Sequence, residues 1–299
     1  MASPGRPGIS QAEAERAYNQ VVPVGIRLCR DWFGLASLEF TPRDGSPLRI
    51  ATDGLRVAPT VKLVADYLMC PIVLGRHRWQ IEELNFAKRV CLGAAPITLV
   101  DVGANMGLFS RQLLVAVPAI TKVVAYEPEP ANFACMVHNL RPFGDRVTMI
   151  EAAVSNRAGQ MEFYLDPTNN GNFSLAVDAM PPNFSKITVE VRDIATESAA
   201  WGDARIFYKS DTEGLDEQVA TAIPPEVWQR VFAGIMEIWP IKKPAVDTAS
   251  FAAVLDRFPN KAFLANADTK LSETPVTTAD VLKYMASGNR LHRDLGFWR

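Results

Sequence analysis

The stretch Ile97-Thr-Leu-Val-Asp101-Val-Gly103-Ala-Asn105-Met-Gly107-Leu-Phe-Ser110 constrains this 299-residue chain more than any other. A short apolar run reads as a buried strand, and the spacing of Leu108, Leu113, Leu114 and Val117 reads as a helix. Between them Gly103 and Gly107 let the backbone turn sharply, and Asn105 tolerates a positive φ better than most residues. A strand that turns through glycines into a helix start is a nucleotide-binding device, because the helix start offers N–H groups to a ligand.

The spacing narrows the choice of nucleotide. A dinucleotide fingerprint is G-x-G-x-x-G, whereas this chain has Asp-x-Gly-x-x-x-Gly, so a pyrophosphate cradle is incomplete and NAD is disfavoured. Further on, Val123-Val-Ala-Tyr126-Glu127-Pro128 is a second apolar strand ending on a carboxylate, which could accept two hydrogen bonds from ribose hydroxyls. With Asp101 at the first turn, the pattern suits a nucleoside carrying a cationic amino-acid tail better than one carrying phosphates. S-adenosylmethionine is the favoured ligand. On this reading a branched side chain at Gly103 abolishes binding by blocking the ligand's approach. The plainer alternative is a parallel α/β protein that uses its glycines only for turns.

The formal charge of -2 argues against a nucleic-acid binder, which would show a basic patch. No apolar run approaches the length of a membrane span. The opening Met1-Ala-Ser-Pro-Gly-Arg-Pro-Gly lacks the apolar core of a signal peptide. Cys29, Cys70, Cys91 and Cys135 form no Cys-x-x-Cys pair and read as reduced, mostly buried thiols of a cytoplasmic protein.

Residues 1–95 lack the strand–helix rhythm seen later and read as an N-terminal cap; residues 96–299 read as the main domain. In the cap, Ser10 begins a candidate helix, Trp32 and Trp79 read as packing residues, and Leu48–Val57 reads as a hairpin around Asp53-Gly54. A helix over Ile81–Cys91 leads into the core. From residue 96, strands and helices alternate, which predicts a parallel sheet with helices on both faces. Helix Pro130–Leu140, a strand over Arg146–Ala152, added strands at Gly159–Asp166 and Ile187–Ile194, and core strands at Arg205–Asp211 and Val231–Trp239 follow. After these come a helix over Ser250–Phe258, a strand over Ala262–Asn266, a last helix from about Thr277, and the basic, aromatic end Arg290–Arg299.

Open parallel sheets bind ligands outside the C-terminal ends of their strands. The polar groups expected there are Asp101, Glu127, Asp211 with Glu213, and Glu237. Methyl transfer from a sulfonium is an in-line displacement, so an enzyme chiefly has to position two reactants, and it needs a base when the acceptor is a hydroxyl. Asp211 leads as that base, ahead of Glu213 and His138. Lys209, two residues before Asp211, points to the same side of the strand and could position the acid or an acceptor oxygen; the alternative is a snorkelling lysine. Asp211 and Glu237 could hold Mg²⁺ through oxygen, but two visible ligands leave a metal the less favoured reading.

Five segments then carry a resemblance: Asp101-Val-Gly-Ala-Asn-Met-Gly-Leu-Phe-Ser, Tyr126-Glu-Pro-Glu-Pro-Ala-Asn-Phe, Glu151-Ala-Ala-Val-Ser, Met161-Glu-Phe-Tyr-Leu-Asp and Lys209-Ser-Asp-Thr-Glu-Gly. In that order they resemble the FkbM-type methyltransferases, class I enzymes that depend on S-adenosylmethionine and release S-adenosylhomocysteine. The resemblance implies a Rossmann-like α/β sheet of seven strands with the last antiparallel. It implies cofactor contact around Asp101, Gly103, Ala104, Asn105 and Gly107, and ribose contact by Glu127 beside Pro128. It also implies that the Asn169–Ser174 loop lies over the cofactor or acceptor through Asn172 and Ser174, and that Asp211 and Glu213 face the acceptor. Ser210 and Thr212 stand where the family carries apolar residues. The implied acceptor is a hydroxyl of a sugar or natural product; an amine or a peptide side-chain amide is the alternative. A silent fold that only binds the cofactor is a third reading.

Overall fold

The computed structural model describes residues 80–93, 96–165, 185–240, 247–265, 271–289 and 291–299, and the backbone alone of 37–40 and 48–51. Its centre is a sheet built from β1 (Ile97–Val102), β2 (Ile120–Tyr126), β3 (Val147–Ile150), β7 (Arg205–Ser210), β8 (Val231–Ile238), β9 (Asn260–Phe263), β10 (Thr274–Pro275) and β11 (Arg293–Trp298). Across the sheet the order is β10-β9-β11-β8-β7-β1-β2-β3. Strands β1, β2, β3, β7 and β8 run parallel. The final strand β11 is antiparallel to both its neighbours, β8 and β9. The sheet has eight strands rather than seven because the two-residue β10 pairs onto its edge.

Alternating residues on these strands feed two cores. On one face Leu99, Val123, Ala125 and Phe207 pack against α1 (Ile81–Cys91), α2 (Leu108–Ala116) and α3 (Pro130–Leu140). The residues between them, Val100, Val124, Tyr126 and Tyr208, pack on the other face against α4 (Asp216–Ala222), α5 (Pro225–Arg230), α6 (Thr248–Leu255) and α7 (Thr278–Met285). This is the period-2 consequence of a strand buried on both sides. Aromatic edge-to-face contacts knit the second core: Tyr208 on Trp228 at 5.4 Å, and Trp228 on Phe258 at 6.0 Å. Tyr126 keeps its hydroxyl paired inside that core, accepting from Trp201 Nε1 at 3.0 Å.

The sequence-predicted strands and helices of residues 97–265 form with end shifts of a few residues. The two added strands are β5 (Gly159–Leu165) and β6 (Ser185–Asp193), and they make a separate three-stranded sheet. Its third member, β4 (Ala153–Ser155), follows directly on the strand predicted over Arg146–Ala152, and three residues are too short to show a period of their own. The end Arg290–Arg299 supplies β11. Leu48–Ala51 pairs antiparallel with Ser37–Phe40, and the hairpin turn expected at Asp53-Gly54 lies outside the described residues. Ser10, Cys29, Trp32, Cys70 and Trp79 lie outside the described residues. Cys91 and Cys135 are free and buried, and burial pushes the Cys91 thiol up to about 12.

Parallel strands put their C-terminal ends on one edge, which gathers Asp101, Glu127, Asp211 and Glu237. An antiparallel strand contributes its beginning to that edge. Asp294, near the start of β11, therefore stands directly across from Glu237.

Candidate functional site

The turn after β1 has the backbone its residues require: φ is 74° at Gly103, 51° at Asn105 and 73° at Gly107. The N–H groups of Gly103 and Ala104 donate to the Tyr126 carbonyl at 3.1 and 2.9 Å. Asn105 N donates to Glu127 Oε2 at 2.8 Å, Met106 N to Asn105 Oδ1 at 2.7 Å, and Gly107 N to the Ala104 carbonyl at 2.8 Å. Five successive donors are thus spent inside the protein. From α3, Asn139 braces the turn by donating to the Met106 carbonyl at 2.7 Å.

Gly103 has a different purpose from the one its spacing suggests. A Cβ there would stand 1.9 Å from the Asp211 carbonyl oxygen. Backbone contact between the ends of β1 and β7, rather than a ligand's approach, demands glycine at this position. Gly103→Ala is therefore expected to lose about 2–4 kcal/mol of stability with no ligand present, combining overpacking with left-handed strain. Thermal unfolding of the ligand-free protein reads this directly; an unchanged midpoint would mean that the glycine only cleared space for a ligand.

Glu127 closes the neighbouring strand end. Its Oε1 accepts from Glu129 N at 2.9 Å, while Oε2 accepts from Asn105 N, so the carboxylate ties the glycine turn to β2. Each oxygen keeps a further lone pair. Burial pushes the group up to about 8, against the pull of the two backbone donors. Pro128 beside it is half-buried and Ala104 is buried.

Asp101 is completely buried. Ser110 Oγ donates to its Oδ2 at 2.6 Å, and Lys209 Nζ stands 3.3 Å from Oδ1. The Lys209 ammonium also lies 3.4 Å from Asp211 Oδ2 and 5.4 Å from the Phe109 ring centroid. Burial works to lower the Lys209 pKa, but the two carboxylates outweigh it and hold the ammonium charged. Asp211 itself keeps a quarter of its side chain exposed. Its Oδ2 accepts from Gln80 Nε2 at 2.9 Å, a contact no local pattern announces.

The polar strand end at Ser210 and Thr212 has a local cause. Both serve Asp216 at the start of α4: Ser210 Oγ donates to it, and Thr212 contributes its backbone N–H at 3.2 Å and its hydroxyl at 2.9 Å. Beyond this cap, Asp211, Glu213 and Glu237 bring one carboxylate oxygen each within 4.8 Å of one another. The sequence showed two candidate ligands for a divalent cation; the fold adds Glu213 as a third. Glu237 accepts from Trp239 Nε1 at 2.6 Å and lies 3.2 Å from His292 Nδ1. Burial, then Asp211 for Glu213 and Glu213 for Glu237, holds both glutamates well above the usual carboxylate range. Asp294 and its partner Glu83 on α1 extend the acidic group. His138 is half-buried on α3. Asn172 and Ser174 lie outside the described residues.

The strand order decides the fold. Six strands, β1, β2, β3, β7, β8 and β9, run in one direction, and an antiparallel final strand is inserted between β8 and β9. This is the class I methyltransferase fold. No protein-family model matches the chain. Methyltransferase sdnD of Sordaria araneosa is 25% identical over 173 residues, which are 47% of this chain and 66% of that protein. The match thus spans just under two thirds of that relative. Among solved structures, methyltransferase FkbM from Methylobacillus flagellatus KT matches 67% of this chain and 43% of its own at 15% identity and a TM-score of 0.42. The METTL16 methyltransferase domain matches 92% of this chain and 80% of its own, at 10% identity and a TM-score of 0.38. No helix among the described residues is long and apolar enough to cross a membrane.

Proposed function

We propose that this protein is an S-adenosylmethionine-dependent methyltransferase that methylates a hydroxyl of a sugar or natural-product acceptor. The observation that carries the reading is the donor accounting at the glycine turn. A pyrophosphate needs free backbone donors, and the five from Gly103 to Gly107 are spent. What the turn holds out instead is the Glu127 carboxylate, an acceptor suited to ribose hydroxyls. The bound cofactor supplies a methyl group on a sulfonium. Asp211, one strand away on β7, takes the acceptor's proton, and Lys209 fixes Asp211 against Asp101.

Calorimetric titration with S-adenosylhomocysteine, and with NAD in parallel, tests the assignment. Binding of the first alone is expected; binding of NAD alone, or of neither, overturns it. Glu127→Ala is expected to cost about 2–4 kcal/mol of S-adenosylhomocysteine affinity, since two bonds to a charged group are lost. A variant that binds as tightly as its parent sinks the ribose role.

Affinity should also rise with pH. Glu127 sits near 8 in the ligand-free fold, above its ordinary 4.5, and hydroxyl donors favour its ionised form. The folded protein therefore holds this proton between those values, so the group's contribution to stability falls as pH rises through that window. Ligand binding in the same window releases the proton, and calorimetry in buffers of different ionisation enthalpy measures the release.

A second reading, methylation of an amine or a peptide side-chain amide, is favoured by the gathering of Asp211, Glu213 and Glu237, whose oxygens can accept hydrogen bonds from an acceptor's N–H. An acceptor screen covering sugars, amines and peptides separates the two.

A further inference from the structure

We infer that Gln80 is a positioning residue that locks the rotamer of Asp211 and leaves its second oxygen turned toward the acceptor. The inference rests on the methyltransferase reading above. Gln80 precedes α1, and its Nε2 donates across 131 positions of sequence to Asp211 Oδ2 at 2.9 Å. Lys209 addresses the same oxygen at 3.4 Å. Among the described residues no hydrogen bond reaches Oδ1, on a side chain that remains one-quarter exposed. One oxygen is therefore held from two directions and the other is presented.

The backbone at Gln80 marks this as a placed side chain. Its φ of 50° and ψ of 60° are left-handed, a conformation glycine adopts without cost and glutamine does not. Its carbonyl starts the helix by accepting from Leu84 N at 2.9 Å, which any residue could do. Its side chain makes no capping bond to α1. The amide that glycine would lack is spent on Asp211 instead. Without it, Asp211 Oδ2 would keep only the longer Lys209 contact. An amide fixes the oxygen without adding a second full positive charge beside it.

The test needs no acceptor. Sinefungin carries a primary amine where the cofactor carries its methyl group, so a well-placed Oδ1 favours it over S-adenosylhomocysteine. The full-length protein, Gln80→Gly and Gln80→Ala are titrated with both nucleosides, and their unfolding midpoints are recorded. The parent is expected to prefer sinefungin, and both variants to lose about tenfold of that preference, the size of one charge-assisted bond. Their affinity for S-adenosylhomocysteine should hold within about twofold. The midpoint should not fall in Gln80→Gly, which relieves the backbone, so a structural role and a positioning role diverge in that variant. A preference kept in Gln80→Gly, or lost only where the midpoint falls, overturns the inference. So does a parent that binds S-adenosylhomocysteine with no preference for sinefungin. A parent that binds neither nucleoside overturns the methyltransferase reading as well.

Discussion

Lys209→Met is expected to lower the free energy of unfolding by about 3–5 kcal/mol, the cost of removing one partner from a buried ion pair. Lys209 is 3% exposed, and its ammonium sits 3.3 Å from Asp101, which has no exposure at all. Ser110 satisfies one oxygen of Asp101, while the other faces Lys209 and finds no hydrogen bond. Methionine would fill the volume over the Phe109 ring yet leave that carboxylate with no countercharge. Adding Asp101→Asn to Lys209→Met should recover part of the loss, since the double variant has no buried charge to strand. Coupling of at least about 1 kcal/mol between the two sites is expected in urea unfolding. A single variant within about 1 kcal/mol of its parent would make Lys209 the snorkelling lysine of the alternative reading.

Asp211→Asn is expected to cut turnover by about 10²–10⁴-fold, the range that a positioned general base contributes. The readout is S-adenosylhomocysteine formed with any acceptor the parent methylates. Affinity for S-adenosylhomocysteine should persist, because Asp211 contacts neither the glycine turn's donors nor Glu127 through its side chain. The asparagine amide can still accept from Gln80 and Lys209, so the geometry is preserved while the basicity is lost. Equal turnover in both proteins would remove Asp211 from the chemistry and direct attention to Glu213. If no acceptor supports turnover in the parent, the silent cofactor-binding fold gains.

Much of this site is legible because its parts lie close together in sequence. Asp101, Gly103, Asn105 and Gly107 fall within seven residues of one another, and the apolar runs before Asp101, Glu127, Asp211 and Glu237 mark strand ends. Alternation then predicts a parallel sheet, and a parallel sheet brings those ends to one edge. The reason for each residue is less legible. Gly103 reads as a ligand's clearance and proves to be clearance for the Asp211 carbonyl, a contact between strands separated by more than a hundred residues. Asp101 reads as facing a ligand and is turned beneath the turn, onto Ser110 and Lys209. Ser210 and Thr212 read as departures from a family pattern and prove to be the cap of Asp216.

By itself the sequence determined the order and kind of the elements, the parallel sheet and the acids at its strand ends. These follow from local physics: side-chain period, glycine's freedom at positive φ, and the burial of apolar runs. Only the tertiary structure decided which of those acids are committed and which are presented. Gln80 reaches Asp211 from the first helix, and Asp294 and His292 reach Glu237 from the final strand, because β11 inserts antiparallel beside β8. Contacts of that kind depend on how elements stack in space, and no spacing along the chain encodes them.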